Sequence, residues 1–423
     1  MNIQNKEMLV FPDLKYNLLK AVKKTGNTQQ KKQLFLKLPE IINEMSLSLE
    51  NNRYQPLTLS CFAVKDPKIR EIFAPDYKDR VVHHLVIDGI EKMIDKKFIF
   101  DCYSNRKNKG THMAVKRLKK FMNKDNDYYL KGDIKSFFPS IDKNVLWDLF
   151  KKHIESCKEI KQKEKQFILS ISKKIIFQNP VSPPPLLTGN EKLLLLVPKE
   201  KSLFYAPTNK GLPIGSLSSQ FFANIYLNEL DQFIKHKLKI KYYIRYVDDF
   251  VIFGKSKKYL SKQRIEIENF IKEKLTLSLH PKKTFIRKKS EGIDFLGYIV
   301  KTKYLLVRKR TVKSFKRKLY FFNHLIKPEI FPIADYPMNL KISKACFKKE
   351  LIPPIVPNLA LLQKMLSVIN SYYGIFRFAD SYNLRKKLYE RRFLHLKEYF
   401  LPKKDYKSIK INPAFLKDGA PKI

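Results

Sequence analysis

Eleven residues constrain this chain more than any others. Tyr243-Ile244-Arg245-Tyr246-Val247-Asp248-Asp249-Phe250-Val251-Ile252-Phe253 reads as two β-branched and aromatic runs broken at Val247-Asp248-Asp249. That pattern predicts a hairpin with two acids at its tip. Adjacent carboxylates at a rigid turn, backed by apolar strands, make poor core and a good site for a hard cation. Mg²⁺ takes oxygen ligands, typically one or two carboxylates plus substrate phosphates. A solvated Asp-Asp turn is the plain alternative, and the hairpin by itself does not decide between them.

A second run does. Tyr128-Tyr129-Leu130-Lys131-Gly132-Asp133-Ile134-Lys135-Ser136-Phe137-Phe138 is another strand-like stretch that delivers an acid near its end. Phosphoryl transfer by two metals needs carboxylates from separate strands, with the ions about 3.5–4 Å apart on the attacking and leaving oxygens. Asp133 and Asp248 supply a bridging pair with Asp249 beside them. One ion lowers the pKa of a 3′-hydroxyl and the other neutralises a triphosphate.

Together the two segments resemble the palm of a reverse transcriptase, where an Asp-x-x-x-x-aromatic strand faces a Tyr-x-Asp-Asp hairpin. The resemblance implies an α+β right-hand polymerase: fingers over 1–127, palm over 128–300 with an insertion at about 155–205, and a helical thumb with a basic tail over 301–423. It implies two Mg²⁺ ions, with Mn²⁺ able to substitute, at Asp133, Ile134, Asp248 and Asp249. It carries further roles residue by residue. Lys65-Asp66-Pro67-Lys68-Ile69-Arg70 resembles the fingers segment, with Lys65 and Arg70 on the triphosphate. Ser104 to Ala114 resembles the basic template-side segment, giving Arg106 and Lys109 to nucleic acid together with Tyr246. Phe138 falls where an aromatic ring blocks a ribose 2′-hydroxyl, which points to DNA as product. Lys283, after His280-Pro281-Lys282, is a candidate general acid toward pyrophosphate. Gly297 falls in the primer-grip hairpin, and Arg308-Lys309-Arg310 opens the thumb.

Gly211-Leu212-Pro213-Ile214-Gly215-Ser216-Leu217-Ser218-Ser219-Gln220 departs from the commonest family pattern. A glycine-bearing turn before a helix lets backbone approach a nucleotide, so Ile214, Gly215 and Gln220 are nucleotide-side candidates. Where most members carry Gln-Gly-x-x-x-Ser-Pro, this chain has Ile-Gly-x-x-x-Ser-Gln. That departure resembles reverse transcriptases of diversity-generating retroelements and their unassigned or antiviral bacterial relatives. The implied partners are a dedicated structured noncoding RNA, its cDNA and dNTPs, with an accessory protein or a second copy as further candidates. Ile214 removes a polar side chain near the nascent pair, which motivates relaxed fidelity. A noncatalytic RNA-binding scaffold with the same fold is the alternative from another class, opposed by the intact acids. Priming from a protein tyrosine is a further variant, with 22 tyrosines and none that stands out.

Composition fits this reading. Lys plus Arg number 85 against 40 Asp plus Glu, a formal charge of +45, and such a field draws polyanions. The four cysteines, Cys61, Cys102, Cys157 and Cys346, show no Cys-x-x-Cys spacing, so neither zinc nor a disulfide framework is expected. The N-terminus lacks a signal-peptide core and the run Leu193–Val197 is too short to span a bilayer, so a cytoplasmic protein without membrane contact is expected. Helices are expected over about 12–50, strands with a basic turn over 54–83, helices over 84–125, and a loosely ordered tail from Leu401.

Overall fold

The computed structural model describes residues 13–26, 35, 37–65, 68–327 and 357–416. Asp66 and Pro67 of the basic turn, and Cys346, lie outside them. The chain divides into two compact units, residues 1–117 with 124–288 and residues 118–123 with 289–423.

In the first unit a four-stranded sheet carries the site. Its order is β5 (Tyr243–Tyr246), β6 (Asp249–Gly254), β3 (Tyr128–Asp133), β7 (Phe285–Lys288), all antiparallel. The predicted hairpin is β5 and β6, closed by the two-residue loop Val247-Asp248. One face of the sheet packs on helix α8 (Leu217–Gln232), in which Phe222, Ile225, Tyr226, Leu227 and Leu230 are all buried. Strands buried this way read as unbroken apolar runs rather than alternating ones, as in Phe250-Val251-Ile252-Phe253.

A smaller sheet lies in the same unit. β1 (Ser60–Val64) pairs antiparallel with β2 (Arg70–Ala74), which opens at Arg70. The strand expectation for 54–83 runs too far: helix α3 begins at Tyr77, where the Asp76 carboxylate accepts the Lys78 N–H and caps it. Asp79 is then buried on that helix and accepts from the Tyr54 hydroxyl and the Leu57 N–H.

The segment expected as an insertion is part core and part strap. Helix α7 (Gln162–Phe177) buries Ile168, Ile171, Ile175 and Ile176 in the main core. The following β4 (Leu186–Leu187) pairs parallel with β1. Leu203 joins Leu59, Cys61 and Phe73 in a small core of its own, and its N–H is accepted by the buried Glu71 carboxylate on β2.

In the second unit β8 (Ile293–Phe295), β9 (Tyr298–Val300) and β10 (Leu305–Val307) form a meander. Its first turn, Leu296-Gly297, has positive φ at both positions (50° and 93°), the type I′ pattern of tight hairpins. Helices α10 (Lys309–Ile326), α11 (Leu359–Arg377) and α12 (Tyr382–Arg392) follow. The expected loose tail is corrected over its described part. β11 (Phe400–Pro402) pairs with β12 (Ile409–Ile411), and Asn370 of α11 exchanges hydrogen bonds with the Ile409 backbone at 2.8 and 2.9 Å. Buried Phe400, Ile409 and Ile411 supply the apolar surface that holds it, despite the surrounding lysines.

Candidate active site

The three acids meet at one end of the four-stranded sheet. Asp133, last residue of β3, stands directly across from Asp249, first residue of β6. Residues opposed in this way have Cβ atoms about 4.5–5.5 Å apart. Asp248 occupies the adjoining turn. Burial, with the Asp133 and Asp249 carboxylates beside it, pushes the Asp248 carboxyl up to about 7. Asp249 is also raised, chiefly by burial, although Lys131 pulls the other way.

Two lysines answer the acids. Lys283 Nζ lies 2.6 Å from Asp133 Oδ1, and Lys131 Nζ lies 3.5 Å from Asp249 Oδ1. Lys131 was missed by motif reasoning, but strand alternation gives it away. It sits two residues before Asp133 and so projects from the same sheet face.

The turn itself is strained. Val247 has φ +53° and Asp248 is not among the positive-φ residues. Positive φ at the first position only is the type II′ pattern, where glycine is the usual occupant. A β-branched residue there costs of the order of 1–3 kcal/mol and persists only when its surroundings over-determine it. Here Arg245, wholly buried, donates from Nη1 to the Val247 carbonyl at 3.0 Å.

Part of the nucleotide-side set, Phe138 with Ile214 and Gly215, is tied into one strip. The Leu212 N–H donates to the Phe138 carbonyl at 3.0 Å and the Gly211 N–H to Ile141 at 2.8 Å. At the far end of the same segment the Phe73 N–H donates to the Ile214 carbonyl at 2.8 Å. Gly215 is required: its φ is +133° and a Cβ would stand 2.6 Å from the Phe73 carbonyl oxygen. One strip thus joins the short helix Phe137–Ser140 to the strand that opens at Arg70. Phe138 is half-buried, its ring 5.3 Å from Phe137. Arg70, Lys65 and Gln220 are exposed, and Ile134 is buried with its neighbours in the core.

The basic-segment residues divide. Arg106 is turned inward: Nε lies 2.5 Å from Asp95 Oδ1, and Nη1 donates to the carbonyls of Ile99 and Cys102. Its guanidinium holds the loop rather than facing outward. Lys109 Nζ donates to the Phe100 carbonyl at 2.8 Å and lies 3.4 Å from the centre of that ring. Tyr246 accepts from the Thr111 hydroxyl at 3.3 Å. In the second unit Arg308 pairs with Asp294 and donates its N–H to Gly297, while Lys309 and Arg310 are exposed on the first turn of α10.

A sheet with one acid across from another and a third at the adjoining turn is the pattern that the family comparison decides. The profile described as "Reverse transcriptase (RNA-dependent DNA polymerase)" matches residues 64–300, more than half of the chain. The chain belongs to the reverse transcriptase family. Its α+β fold is accordingly the family's polymerase fold. Among its relatives, the group II intron-encoded protein LtrA of Lactococcus lactis is 24% identical, over 72% of this chain and 57% of that protein. Protein YkfC of Escherichia coli K12 is 22% identical, over 62% of this chain and 70% of that one. The match therefore spans 57% of the length of LtrA, less than two thirds. A solved apo telomerase from Candida tropicalis aligns at TM-score 0.42 and 14% identity, over 60% of this chain and 48% of that one.

In donor chemistry the site fits a divalent metal: three hard carboxylates, one of which, Asp248, is raised by burial and by the charge of the other two, a penalty that a bound cation would relieve. Among the described residues no three acidic, His or Cys side chains stand ready around one point. Lys283 and Lys131 each hold an acid instead. Among the described residues, no helix is long and apolar enough to cross a membrane.

Proposed function

We propose that this protein is an RNA-directed DNA polymerase that makes cDNA from a dedicated structured RNA. The observation that carries the reading is the cross-strand placement of Asp133 opposite Asp249, with Asp248 at the turn between β5 and β6. Asp133, Asp248 and Asp249 would hold two Mg²⁺ ions, with Ile134 contributing through its backbone. When bound, these ions supply activation of the primer hydroxyl and charge neutralisation at the triphosphate. The chain's own residues do the rest. Arg70 and Lys65 grip the triphosphate, and Phe138 stands against the ribose 2′ position. The strip ending at Ile214-Gly215 underlies the nascent pair. Lys283, on release from Asp133, delivers a proton toward the departing pyrophosphate.

Fingers, palm and thumb are assigned over 1–127, 128–300 and 301–423. A charge of +45 supports binding through phosphates. For the biological setting we favour antiphage defence, because ordered segments run on to residue 416 beyond the family match at 300. Ile214 supports a second reading, error-prone copying in a diversity-generating retroelement. The test is purification from the native locus followed by sequencing of the bound nucleic acid, for wild type and Asp248→Ala/Asp249→Ala. Complementary cDNA on wild type alone supports polymerisation, and identical RNA without DNA on both refutes it. Errors gathered at template adenines would assign diversification, and equal low error in wild type and Ile214→Gln would remove it.

A further inference from the structure

Arg245 is the largest fully buried side chain in the described residues, and its charge is matched by Asp231, also fully buried. The pair is bidentate: Nε to Oδ1 at 2.7 Å and Nη2 to Oδ2 at 2.6 Å. The Tyr243 hydroxyl donates to the same Asp231 Oδ1 at 2.6 Å. The remaining guanidinium nitrogen, Nη1, reaches Asn224 Oδ1 at 3.3 Å and the Val247 carbonyl at 3.0 Å. A buried ion pair is weak evidence for stability, because apolar residues of like volume often do as well. What this pair supplies is direction. With two nitrogens locked on Asp231, the third can point only where the Val247 carbonyl has to be.

The backbone of the same residue faces the other way. Its N–H donates to the Asp101 carbonyl and its carbonyl accepts from the Tyr103 N–H, both at 3.0 Å. Asn224 Nδ2 donates to the Ser104 carbonyl at 2.8 Å. One buried cluster therefore fixes both the left-handed turn before Asp248 and the chain entering the basic loop.

We propose that Arg245, oriented by Asp231, is the positioning residue that holds the Val247-Asp248 turn in its metal-binding shape. The proposal rests on the polymerase reading of the three acids. Groups that orient metal ligands from behind typically change metal affinity by about 10–100-fold when removed. This one acts through main chain and needs no contact with metal, nucleotide or template.

The test uses the full chain and Mn²⁺ as probe, with binding read by electron paramagnetic resonance and Mg²⁺ dependence by primer extension. In the double variant Asp231→Leu/Arg245→Met both charges go, so no ion is left buried alone. It should stay folded at assay temperature but melt measurably below wild type, because the Tyr243 hydroxyl and the Val247 carbonyl lose their partners. It should bind Mn²⁺ at least about tenfold more weakly and need correspondingly more Mg²⁺. The KM for dNTP should stay within about twofold, since no triphosphate contact is touched. Should the double variant fail to fold, Arg245→Lys keeps the charge but not the three-way fork and should show the same direction of change. Wild-type Mn²⁺ affinity in a folded variant overturns the proposal alone. Wild-type Mn²⁺ binding unaffected by Asp248→Asn overturns the polymerase reading, and this proposal with it.

Discussion

Replacing Asp248 by Asn should stabilise the metal-free protein while destroying its chemistry. Burial and two neighbouring carboxylates carry the Asp248 carboxyl from 3.8 to about 7. A carboxyl raised in the folded state leaves stability intact below its unfolded pKa and removes it as pH climbs through the folded value. A shift of about three units amounts to about 4 kcal/mol at pH 8, of which about 1.5 kcal/mol is already lost at pH 5. The metal-free wild type should therefore lose about 2.5 kcal/mol more than Asp248→Asn between pH 5 and pH 8. Because Asp248 is half-buried, that figure is the upper end. The assay is urea unfolding at both pH values in EDTA, repeated with Mg²⁺. Mg²⁺ should restore wild type at pH 8 and do little for the variant. Parallel pH profiles for the two proteins in EDTA would refute the coupling of the three acids.

Gly215→Ala should keep the protein folded but cut nucleotide incorporation steeply, because the new methyl meets the Phe73 carbonyl at 2.6 Å in a left-handed backbone; unchanged kcat/KM in single-nucleotide extension would count against the strip's role. Glu71→Ala orphans the buried Leu203 N–H and should cost about 1–3 kcal/mol, with residues 190–205 becoming the first site of limited proteolysis. Arg106→Met should lower stability by about 2 kcal/mol through the uncapped Ile99 and Cys102 carbonyls. Its RNA affinity, followed across a salt titration, should match wild type; a salt slope reduced by about one would restore the phosphate contact expected from sequence.

The hairpin and the strand ending in Asp133 were legible because both are short, apolar and interrupted by acids that a core would not accept. Arg245 was printed in the same eleven residues yet read as a strand residue, since its partner Asp231 lies on helix α8, fourteen positions back. Ion pairing across elements leaves no local periodicity. Arg106 illustrates the converse. Its basic surroundings pointed outward, while Asp95, the last residue of helix α3 and eleven positions back, drew it in. The C-terminal hairpin was hidden by Lys403, Lys404, Lys407 and Lys410, while their apolar neighbours Phe400, Ile409 and Ile411 carry the packing.

The strip from Gly211 to Gly215 is tied at one end to Phe138 and Ile141 and at the other to Phe73. On the polymerase reading, a plank nailed at both ends cannot sag to welcome a mispair. Any tolerance of wrong bases then comes from what the plank lacks, a side-chain donor at Ile214, and not from slack. Errors of that origin follow base chemistry and stay nearly level on warming, whereas errors born of looseness climb with temperature.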